Sequence, residues 1–460
     1  MNNTAAVILA AGKGTRMRSK TPKVLHKVAG KPLVWHVINA AQGAGVKEVV
    51  VVVGHGAEGV KNTLGEGIKF ALQSEQLGTA HAVMQAKDVL SPEIENVMVL
   101  CGDTPLLEAV TLEKLIQTHL AKKAACTILS AQVTNPTGYG RIIRGDGGKV
   151  LKIVEEKDAD ESQKAIKEIN SGTYCFTKNE LFKALAKITP DNAQGEYYLT
   201  DVISVLSDDN LGVFSCIADN PKEIQGVNDR VHLAAAEKVL RMRKNIALMQ
   251  NGVTLIDPDT TYIDYDVEIG PDTTIYPFTL LQGDVTIGAD CEIGPSTTLK
   301  NTSVGENTTI TRSVVIDSNI GSGCSVGPFA YLRPGTVLRQ DVKIGDFVEV
   351  KKSDIDDGSK VPHLSYIGDS TIGKNVNVGA GTITCNYDGK NKWPTVIEDG
   401  AFIGSNTNLV APVKVGKNSV IGAGSTITKD IPQNSLAIAR QKQKNILDWK
   451  KKNKKECRDL

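Results

Sequence analysis

From about residue 250 to residue 440 the chain repeats an aliphatic residue every six positions, a period that neither an α-helix nor an alternating β-strand maintains. Such hexapeptide repeats predict a parallel β-helix, in which each hexad is a short strand plus a turn and three hexads close one triangular coil. The aliphatic side chains then point inward, and the glycine that often follows fits the tight corner. The period is carried by Ile269, Ile275, Leu281, Ile287, Ile293 and Leu299, then by Val314, Ile320, Val326, Leu332, Leu338, Ile344 and Val350, and finally by Ile397, Ile403, Leu409, Val415, Ile421 and Ile427.

Residues 1–228 show a different pattern, in which short apolar runs such as AAVILAA, EVVVVVG and NVMVLCGD alternate with amphipathic segments. Strands that are apolar on both faces predict a Rossmann-like α/β domain with a mostly parallel sheet. Residues 229–249 contain neither Gly nor Pro and predict a connecting helix. We therefore expect a domain at 1–228, a linker helix at 229–249, a β-helix domain at 250–440 and a basic tail at 441–460, interpreted as a solvated terminus.

The composition excludes several classes of protein. With 53 basic and 52 acidic residues and 5% aromatics, nothing favours nucleic acid as a partner. No apolar stretch approaches the ~20 residues of a membrane span, and the N-terminus lacks a secretion signal, so we expect a cytoplasmic protein. The eight cysteines include no CxxC pair, which argues against a zinc site or a disulfide framework.

The stretch VILAAGKGTRM, residues 7–17, follows the first predicted strand with a glycine-rich turn. It matches neither a P-loop nor a dinucleotide fingerprint, because Lys13 is followed by Gly14 and Met17 stands where a third glycine is needed. Backbone N–H groups at such a strand end bind anions, and Arg16 and Lys23 add positive charge. The loop is well placed for a triphosphate, although turn chemistry alone also explains its glycines.

Asp103 follows another apolar run, VMVLC, at the same predicted edge of the sheet. Its carboxylate could hold Mg²⁺, which prefers oxygen ligands shared with phosphates. An Asp after a glycine also caps helices, so that alternative remains open.

His363 is the only histidine beyond His232. A lone histidine is more often a surface or core residue than a base, and a β-helix can serve oligomerisation alone. However, Arg333, Lys351 and Tyr366 accompany it, and the six-residue period breaks between about 379 and 396. Loops that leave a solenoid are favoured places for function.

Eight motifs together resemble the sugar-nucleotide pyrophosphorylases, in particular the bifunctional enzymes that join an N-acetylglucosamine-1-phosphate uridylyltransferase to a glucosamine-1-phosphate N-acetyltransferase. The resemblance runs through nearly all of residues 5–440 and implies a left-handed winding of the β-helix. The motifs are LAAGKGTRM, PKVLH, QLGTAHAV, GDTPL, NPTGYGRI, EINSG, NAQGEYYLTD and GVNDR.

For the first domain the resemblance implies a complete nucleotide and sugar site. Arg16 and Lys23 would bind and activate the triphosphate, and Mg²⁺ would be held by Asp103 and Asn228. Cys101 stands where some relatives carry a tyrosine beside the nucleotide. The substrate-binding residues implied are Leu9, Ala10, Ala11, Gly12, Gly14, Lys23, Cys101, Gly102 and Asp103 around the nucleotide, Gln73, Gly78 and Thr79 at the uracil, and Gly140, Glu155, Asn170 and Asn228 toward the sugar and metal.

For the second domain the resemblance implies that His363 is the general base for acetyl transfer from acetyl-CoA. Histidine suits the role because an unperturbed imidazole titrates near ~6.5. The sugar-phosphate residues implied are Arg333, Lys351, Tyr366, Asn377, Asn386 and Tyr387. The residues implied for acetyl-CoA are Ala380, Ser405, Ala423 and Arg440.

We therefore predict a bifunctional enzyme that acetylates glucosamine-1-phosphate and then couples the product to UTP, releasing pyrophosphate and supplying a precursor of peptidoglycan and lipopolysaccharide. The resemblance also implies a homotrimer. A monofunctional nucleotidyltransferase with a purely oligomerising β-helix is the alternative enzyme, and a scaffold or a sugar-nucleotide sensor is the non-enzymatic alternative. The His363 group argues against the first, and the set of Lys23, Asp103 and Asn228 against the second.

Overall fold

The computed structural model describes residues 3–449, so residues 450–460 of the predicted basic tail lie outside the described residues. The chain divides after Arg241 into two compact units. None of the helices in residues 3–449 combines the length and the apolarity that a membrane crossing needs.

The first unit is built on a sheet with the strand order β11-β7-β10-β6-β1-β4-β5, to which β8 and β9 are added at β10. The pairs of β1 with β4 and β6, of β4 with β5 and of β11 with β7 are parallel, whereas β10 is antiparallel to β6 and β7. Strands β2 and β3 form a separate hairpin. In chain order the strands are β1 (Thr4–Ala10), β2 (Lys27–Val28), β3 (Lys31–Pro32), β4 (Glu48–Val53), β5 (Lys69–Leu72), β6 (Asn96–Cys101), β7 (Cys126–Gln132), β8 (Arg141–Arg144), β9 (Val150–Val154), β10 (Glu168–Thr177) and β11 (Val213–Ile217).

Apolar residues on both faces of each central strand explain the helices on both sides of the sheet. Along β1, Val7 packs into one core cluster and its neighbour Ile8 into another, because successive side chains point to opposite faces. The predicted α/β domain with a mostly parallel sheet is thus confirmed. The helices are α1 (Leu33–Gly43), α2 (Ala57–Leu64), α3 (Thr79–Met84), α4 (Ala109–Lys122), α5 (Glu161–Lys164), α6 (Lys178–Leu185), α7 (Asp201–Asp208) and α8 (Arg230–Gln250), with 3-10 turns at Thr15–Met17, Lys23–Leu25 and Asp146–Gly148.

The second unit is a left-handed parallel β-helix of three stacked sheets, as predicted. Equivalent residues of neighbouring full coils are 18 apart, as in the pairing of Ile275 with Ile293. Sheet one contains β12 (Thr254–Leu255), β15 (Thr274–Ile275), β18 (Glu292–Ile293), β21 (Thr309–Ile310), β24 (Ser325–Val326), β27 (Lys343–Asp346), β30 (Lys360–His363), β33 (Asn377–Val378), β36 (Phe402–Ile403), β39 (Val420–Ile421) and β41 (Leu436–Ala437).

The other two sheets complete each coil. Sheet two contains β13 (Tyr262–Ile263), β16 (Leu280–Gln282), β19 (Thr298–Lys300), β22 (Val314–Ile316), β25 (Tyr331–Leu332), β28 (Glu349–Lys351), β31 (Tyr366–Gly368), β34 (Ile383–Cys385), β37 (Asn408–Val410) and β40 (Thr426–Ile427). Sheet three contains β14 (Glu268–Ile269), β17 (Thr286–Ile287), β20 (Ser303–Val304), β23 (Asn319–Ile320), β26 (Val337–Leu338), β29 (Asp354–Ile355), β32 (Ser370–Ile372), β35 (Thr395–Ile397) and β38 (Val413–Val415).

The aliphatic residues of the repeat form one continuous core inside the coils. The sequence interpretation was wrong at Val314, which is 38% exposed, while Val315 is fully buried in its place. The cause is a local shortening of the repeat, because the inward residues Ile310, Val315 and Ile320 are five apart instead of six. The break in the period is also narrower than expected, because Thr384 still faces inward and the chain leaves the coil only between β34 and β35.

The corners of the prism are columns of residues in the left-handed conformation, which Asn, Asp and Gly adopt most easily. One corner departs from this rule. It carries Phe278, Phe329, Phe347 and Leu364, all with positive φ and all more than half exposed. Phe329 and Phe347 stack with their ring centroids 5.4 Å apart.

Candidate active sites

The glycine-rich turn after β1 forms one wall of a cavity of about 360 Å³ in the first unit. Gly14 adopts a φ of 59°, and a side chain there would collide with Lys23, so this glycine lets the Lys23 turn pack against the loop. The cavity is lined by Leu9, Ala10, Ala11, Gly12, Lys13, Lys23, Val24, Gln73, Gln76, Gly78, Thr79, Ala82, Cys101, Asp103 and Glu196.

Beside the end of β6 the structure brings together four predicted residues from three distant segments of the chain. Lys23 forms an ion pair with Asp103, and both side chains are less than 20% exposed. Arg16 donates a hydrogen bond of 2.8 Å to Oδ1 of Asn228. The N–H of Val227 donates to the carbonyl of Asp103 at 2.8 Å, which places the Asn228 segment beside the end of β6.

The donor set at this point fits a divalent cation. The Asp103 carboxylate and the Asn228 amide oxygen are hard oxygen ligands of the kind that Mg²⁺ prefers, and a cation that keeps water and phosphate ligands needs only one or two such groups from the protein. Groups of three or more His, Cys, Asp or Glu side chains that could form an all-protein cage do not occur in residues 3–449.

Gln73 also lines the cavity and is 3% exposed. Its Nε2 lies 3.1 Å from both the Gly78 carbonyl and Nδ1 of His81, so its amide is held in place. Gly78 has a φ of 116°, and any side chain there would collide with the backbone of Tyr197. The Thr79 hydroxyl accepts a hydrogen bond from the N–H of Leu199 at 3.0 Å.

Cys101 lines the same cavity at the end of β6. Burial raises the pKa of its thiol to about 12, and Sγ donates to the Gly172 carbonyl at 3.7 Å. The thiol is therefore neutral, and nothing here suggests a nucleophile.

The predicted sugar residues form a separate group just outside the lining of the cavity. The N–H of Asn170 donates to the Gly140 carbonyl at 2.8 Å, and a Cβ on Gly140 would lie 3.4 Å from the Glu155 carboxylate oxygens. Burial raises the pKa of Glu155, and the carboxylates of Asp158 and Asp201 add to the effect. Arg16, Gly14, Gly102 and Asn228 are likewise absent from the lining. Gln76 and Glu196 line the cavity but were not predicted individually, although both lie within or beside quoted motifs.

In the β-helix, Nδ1 of His363 lies 2.6 Å from Oδ1 of Asp346. The hydrogen bond from His363 lowers the pKa of the Asp346 carboxyl, so the carboxylate is ionised and can only accept. Nδ1 of the imidazole therefore carries the proton, and in the neutral ring Nε2 holds the lone pair that a base requires. His363 is 56% exposed, so substrates can reach it. The sequence interpretation missed Asp346.

The predicted sugar-phosphate residues lie mainly on sheet two of the same coils. Lys351 lies 3.7 Å from Asp369, and Nδ2 of Asn386 donates to Asp369 at 2.5 Å and contacts the Tyr366 hydroxyl at 3.5 Å. Arg333 forms an ion pair of 2.8 Å with Glu349 one coil away. These contacts assemble Arg333, Lys351, Tyr366 and Asn386 into one polar surface.

A second cavity, of about 400 Å³, borders this surface but does not include His363. Lys392, from the loop that leaves the coil, lines this cavity and lies beside Lys351. The side-chain hydrogen bond with Lys351, together with the charge of Lys351, lowers the pKa of Lys392. Two neighbouring ammonium groups create a positive potential that favours binding of an anion at this cavity. The remaining lining residues are Gly335, Lys352, Ser353, Asp354, Asp369, Ser370, Thr371, Trp393 and Pro394.

Two predicted residues take other positions. Asn377 pairs in register with Lys360, in the coil next to His363. Tyr387 is 60% exposed, and its hydroxyl donates to the Gly389 carbonyl within the same loop at 2.6 Å.

The residues predicted to contact acetyl-CoA follow His363 along one corner of the prism, coil after coil. The His363 carbonyl accepts from the N–H of Gly381, and the Ala380 carbonyl accepts from the N–H of Asn406 at 2.7 Å. In the next coils the Ser405 carbonyl accepts from the N–H of Gly424 at 2.8 Å, and the Ala423 carbonyl accepts from Arg440 at 2.8 Å. Ala380, Ser405, Ala423 and Arg440 thus form a continuous column that begins at the histidine.

Known proteins match both units. A nucleotidyl transferase family model matches residues 5–220, and a model of the bacterial transferase hexapeptide with six repeats matches residues 266–301 and 394–429. The chain is 56% identical to the bifunctional protein GlmU of Heliobacterium modesticaldum, with 96% of this chain and 97% of the relative covered. It is 55% identical to that of Syntrophomonas wolfei, covering 96% and 98%, and 52% identical to that of Clostridioides difficile, covering 99% of each.

Proposed function

Because this chain belongs to the GlmU family of bifunctional enzymes, we propose how its residues divide between the two activities of a uridylyltransferase and an acetyltransferase. Residues 1–228 carry uridylyl transfer, residues 250–440 carry acetyl transfer, and the segment 229–249 joins them. The observation that supports this division is that each unit contains its own polar constellation, Lys23 with Asp103 in the first and Asp346 with His363 in the second.

In uridylyl transfer, an oxygen of N-acetylglucosamine-1-phosphate attacks the α-phosphorus of UTP. One P–O bond forms, the bond to the β-phosphate oxygen breaks and pyrophosphate leaves. The protein has little covalent chemistry to perform, so alignment and charge neutralisation supply most of the acceleration. Arg16 and Lys23 neutralise the phosphates, while Gln73, Gly78 and Thr79 hold the base.

Asp103 and Asn228 are the residues that would hold Mg²⁺ beside the phosphates. When bound, the ion would neutralise negative charge on the phosphoryl groups. Glu155, Asn170 and the backbone of Gly140 bind the N-acetylated sugar.

In acetyl transfer, Nε2 of His363 accepts a proton from the amine of glucosamine-1-phosphate as its nitrogen attacks the thioester carbonyl of acetyl-CoA. A C–N bond forms and the C–S bond breaks. The proton returns from His363 to the leaving thiolate, so the imidazole is regenerated. Asp346 fixes the ring in the tautomer that this exchange requires.

The substrates of acetyl transfer occupy two surfaces that meet at His363. Arg333 and Lys351 bind the sugar phosphate, and Tyr366, Asn377, Asn386 and Tyr387 orient the sugar. The coenzyme extends along the corner column of Ala380, Ser405, Ala423 and Arg440, and the N–H of Ala380 faces the acetyl group.

We further propose a homotrimer. Large apolar side chains in the left-handed conformation cost roughly 1–2 kcal/mol each relative to a right-handed backbone. One corner of the β-helix nevertheless carries four such side chains, all of them exposed in the single chain: Phe278, Phe329, Phe347 and Leu364. A second copy of the chain that covers this corner offsets that cost by burying apolar surface.

The cytoplasm is the proposed location, since the seven cysteines in residues 3–449 are all free thiols and the substrates UTP and acetyl-CoA are cytoplasmic metabolites. Mass spectrometry of the products from purified protein, glucosamine-1-phosphate, acetyl-CoA, UTP and Mg²⁺ tests the whole assignment. UDP-N-acetylglucosamine is expected. Acceptance of ready-made N-acetylglucosamine-1-phosphate without any acetylation would instead indicate the monofunctional alternative.

A further inference from the structure

The two oxygen groups assigned to the metal are each already bound by a cationic side chain. Lys23 pairs with the Asp103 carboxylate, and Arg16 donates to Oδ1 of Asn228. These are also the two cations assigned to the triphosphate. One small region therefore contains two acceptors and two cations that satisfy each other.

We propose that Lys23 and Arg16 occupy the metal-binding oxygens of the free enzyme and are released toward the triphosphate when a divalent cation takes those oxygens. The proposal rests on the proposed function, because it assumes that Asp103 and Asn228 bind the metal. It makes the metal and the nucleotide mutually dependent, since one exchange both completes the metal site and frees the phosphate-binding side chains.

The positions of the side chains favour such an exchange. Lys23 and Asp103 both line the cavity, so a released Lys23 ammonium remains beside the space for the phosphates. With exposed fractions of 18% and 17%, their side chains form a pair that is screened less than a surface ion pair. A cation that needs the Asp103 oxygens must first displace the ammonium, and this competition weakens metal binding in the absence of nucleotide.

The test is the binding of Mn²⁺, used as the probe for the metal, to the full-length protein without nucleotide. The signal of free Mn²⁺ in electron paramagnetic resonance reports binding and does not depend on activity. We expect Lys23→Gln to tighten Mn²⁺ binding by about fivefold, the upper range for a modestly exposed ion pair. Arg16→Gln should tighten it as well, because Arg16 is exposed and its loss removes the cation from Oδ1 of Asn228.

Lys13→Gln is the matched control. Lys13 lies in the same loop and lines the same cavity, but in the described part of the chain it pairs with neither Asp103 nor Asn228. Lys13→Gln removes the same charge from the same cavity. If the contact with the metal-binding oxygens causes the tightening, this variant should change Mn²⁺ affinity less than twofold.

The outcomes separate this proposal from the proposed function. If Asp103→Ala leaves Mn²⁺ binding unchanged, the metal assignment itself is wrong. If Asp103→Ala abolishes binding while Lys23→Gln and Arg16→Gln leave it unchanged or weaken it, the exchange is wrong and the metal site stands. Equal tightening by Lys13→Gln would also overturn the exchange, because general electrostatics would then explain it.

Discussion

Asp346 and His363 stand opposite each other in adjacent coils of sheet one, and their side chains meet at 2.6 Å. The register of the β-helix creates this pair, because the two residues are in line on neighbouring strands although 17 positions separate them. The position of the acetyl-transfer base thus follows from the stacking that stabilises the fold.

Replacing Asp346 tests whether it orients that base. Asp346→Ala should lower kcat for acetyl transfer by about tenfold to a hundredfold, since the ring loses its tautomer and orientation, and leave KM for acetyl-CoA nearly unchanged. Asp346→Asn retains an acceptor for Nδ1 and should recover part of the rate. The pH profile of kcat provides the second readout, because removing a negative charge 2.6 Å from a general base changes how kcat depends on pH.

If both variants acetylate at the parental rate with an unchanged pH profile, Asp346 only stabilises the coil.

Glu155 gives a pH-dependent prediction for the first unit. Its pKa is raised by burial, so the folded protein binds its proton more tightly than the unfolded chain does. The ionised carboxylate therefore destabilises the fold increasingly as the pH rises from the pKa of the unfolded chain, about 4.3, through the higher pKa of the folded protein. Glu155→Gln should raise Tm at pH 8, and the difference should shrink toward zero near pH 4.

The same variant should raise KM for N-acetylglucosamine-1-phosphate, because a charged acceptor for the sugar is lost. Calorimetry at both pH values and uridylyl kinetics on one preparation measure the two effects. A lower Tm at pH 8 would contradict the assigned cause of the pKa shift.

The apolar corner tests the proposed assembly. Phe329→Asn with Phe347→Asn removes two exposed aromatic rings and introduces a residue that accepts the left-handed conformation. Light scattering should give about three times the chain mass of 49.2 kDa for the parent and a smaller species for the variant, with the fold retained. Arg312 also has a positive φ, and its carbonyl accepts a hydrogen bond from the N–H of Phe329, so it lies at the same corner. Arg312→Asn is the control and should remain assembled.

An unchanged mass for the double variant would show that this corner is not the interface.

The sequence allowed prediction of contacts between residues that are close in the chain or repeat at a fixed interval. It did not allow prediction of contacts that depend on strand register or on distant segments of the chain. The inward hexad residues followed from periodicity, but Val314 was misassigned because the shortened coils moved the inward position to Val315. Asp346 was missed because only the coil register brings it to His363. The partnership of Arg16 with Asn228 spans 212 positions and depends on the complete α/β fold.

The loop near Lys392 shows a second limit. A break in the period marks where the chain leaves the coil, but it does not determine which side chain returns to the polar surface. Lys392 and Lys351 become neighbours only when the loop is folded. The composition could not indicate this contact either, because charged residues make up 23% of the chain and nothing in that fraction distinguishes Lys392 from other lysines.

The central claim is that two independent active sites share one chain. Measurement of both activities in the His363→Ala variant tests this claim most directly. Acetyl transfer should fall by about 10²–10⁴-fold, the contribution of a general base. Uridylyl transfer to ready-made N-acetylglucosamine-1-phosphate should continue at the parental rate, while Asp103→Ala, as the reciprocal control, should lose uridylyl transfer and keep acetylation. Acetylation by His363→Ala within about threefold of the parent, far short of that loss, or equal loss of both activities in a folded variant, would contradict the account.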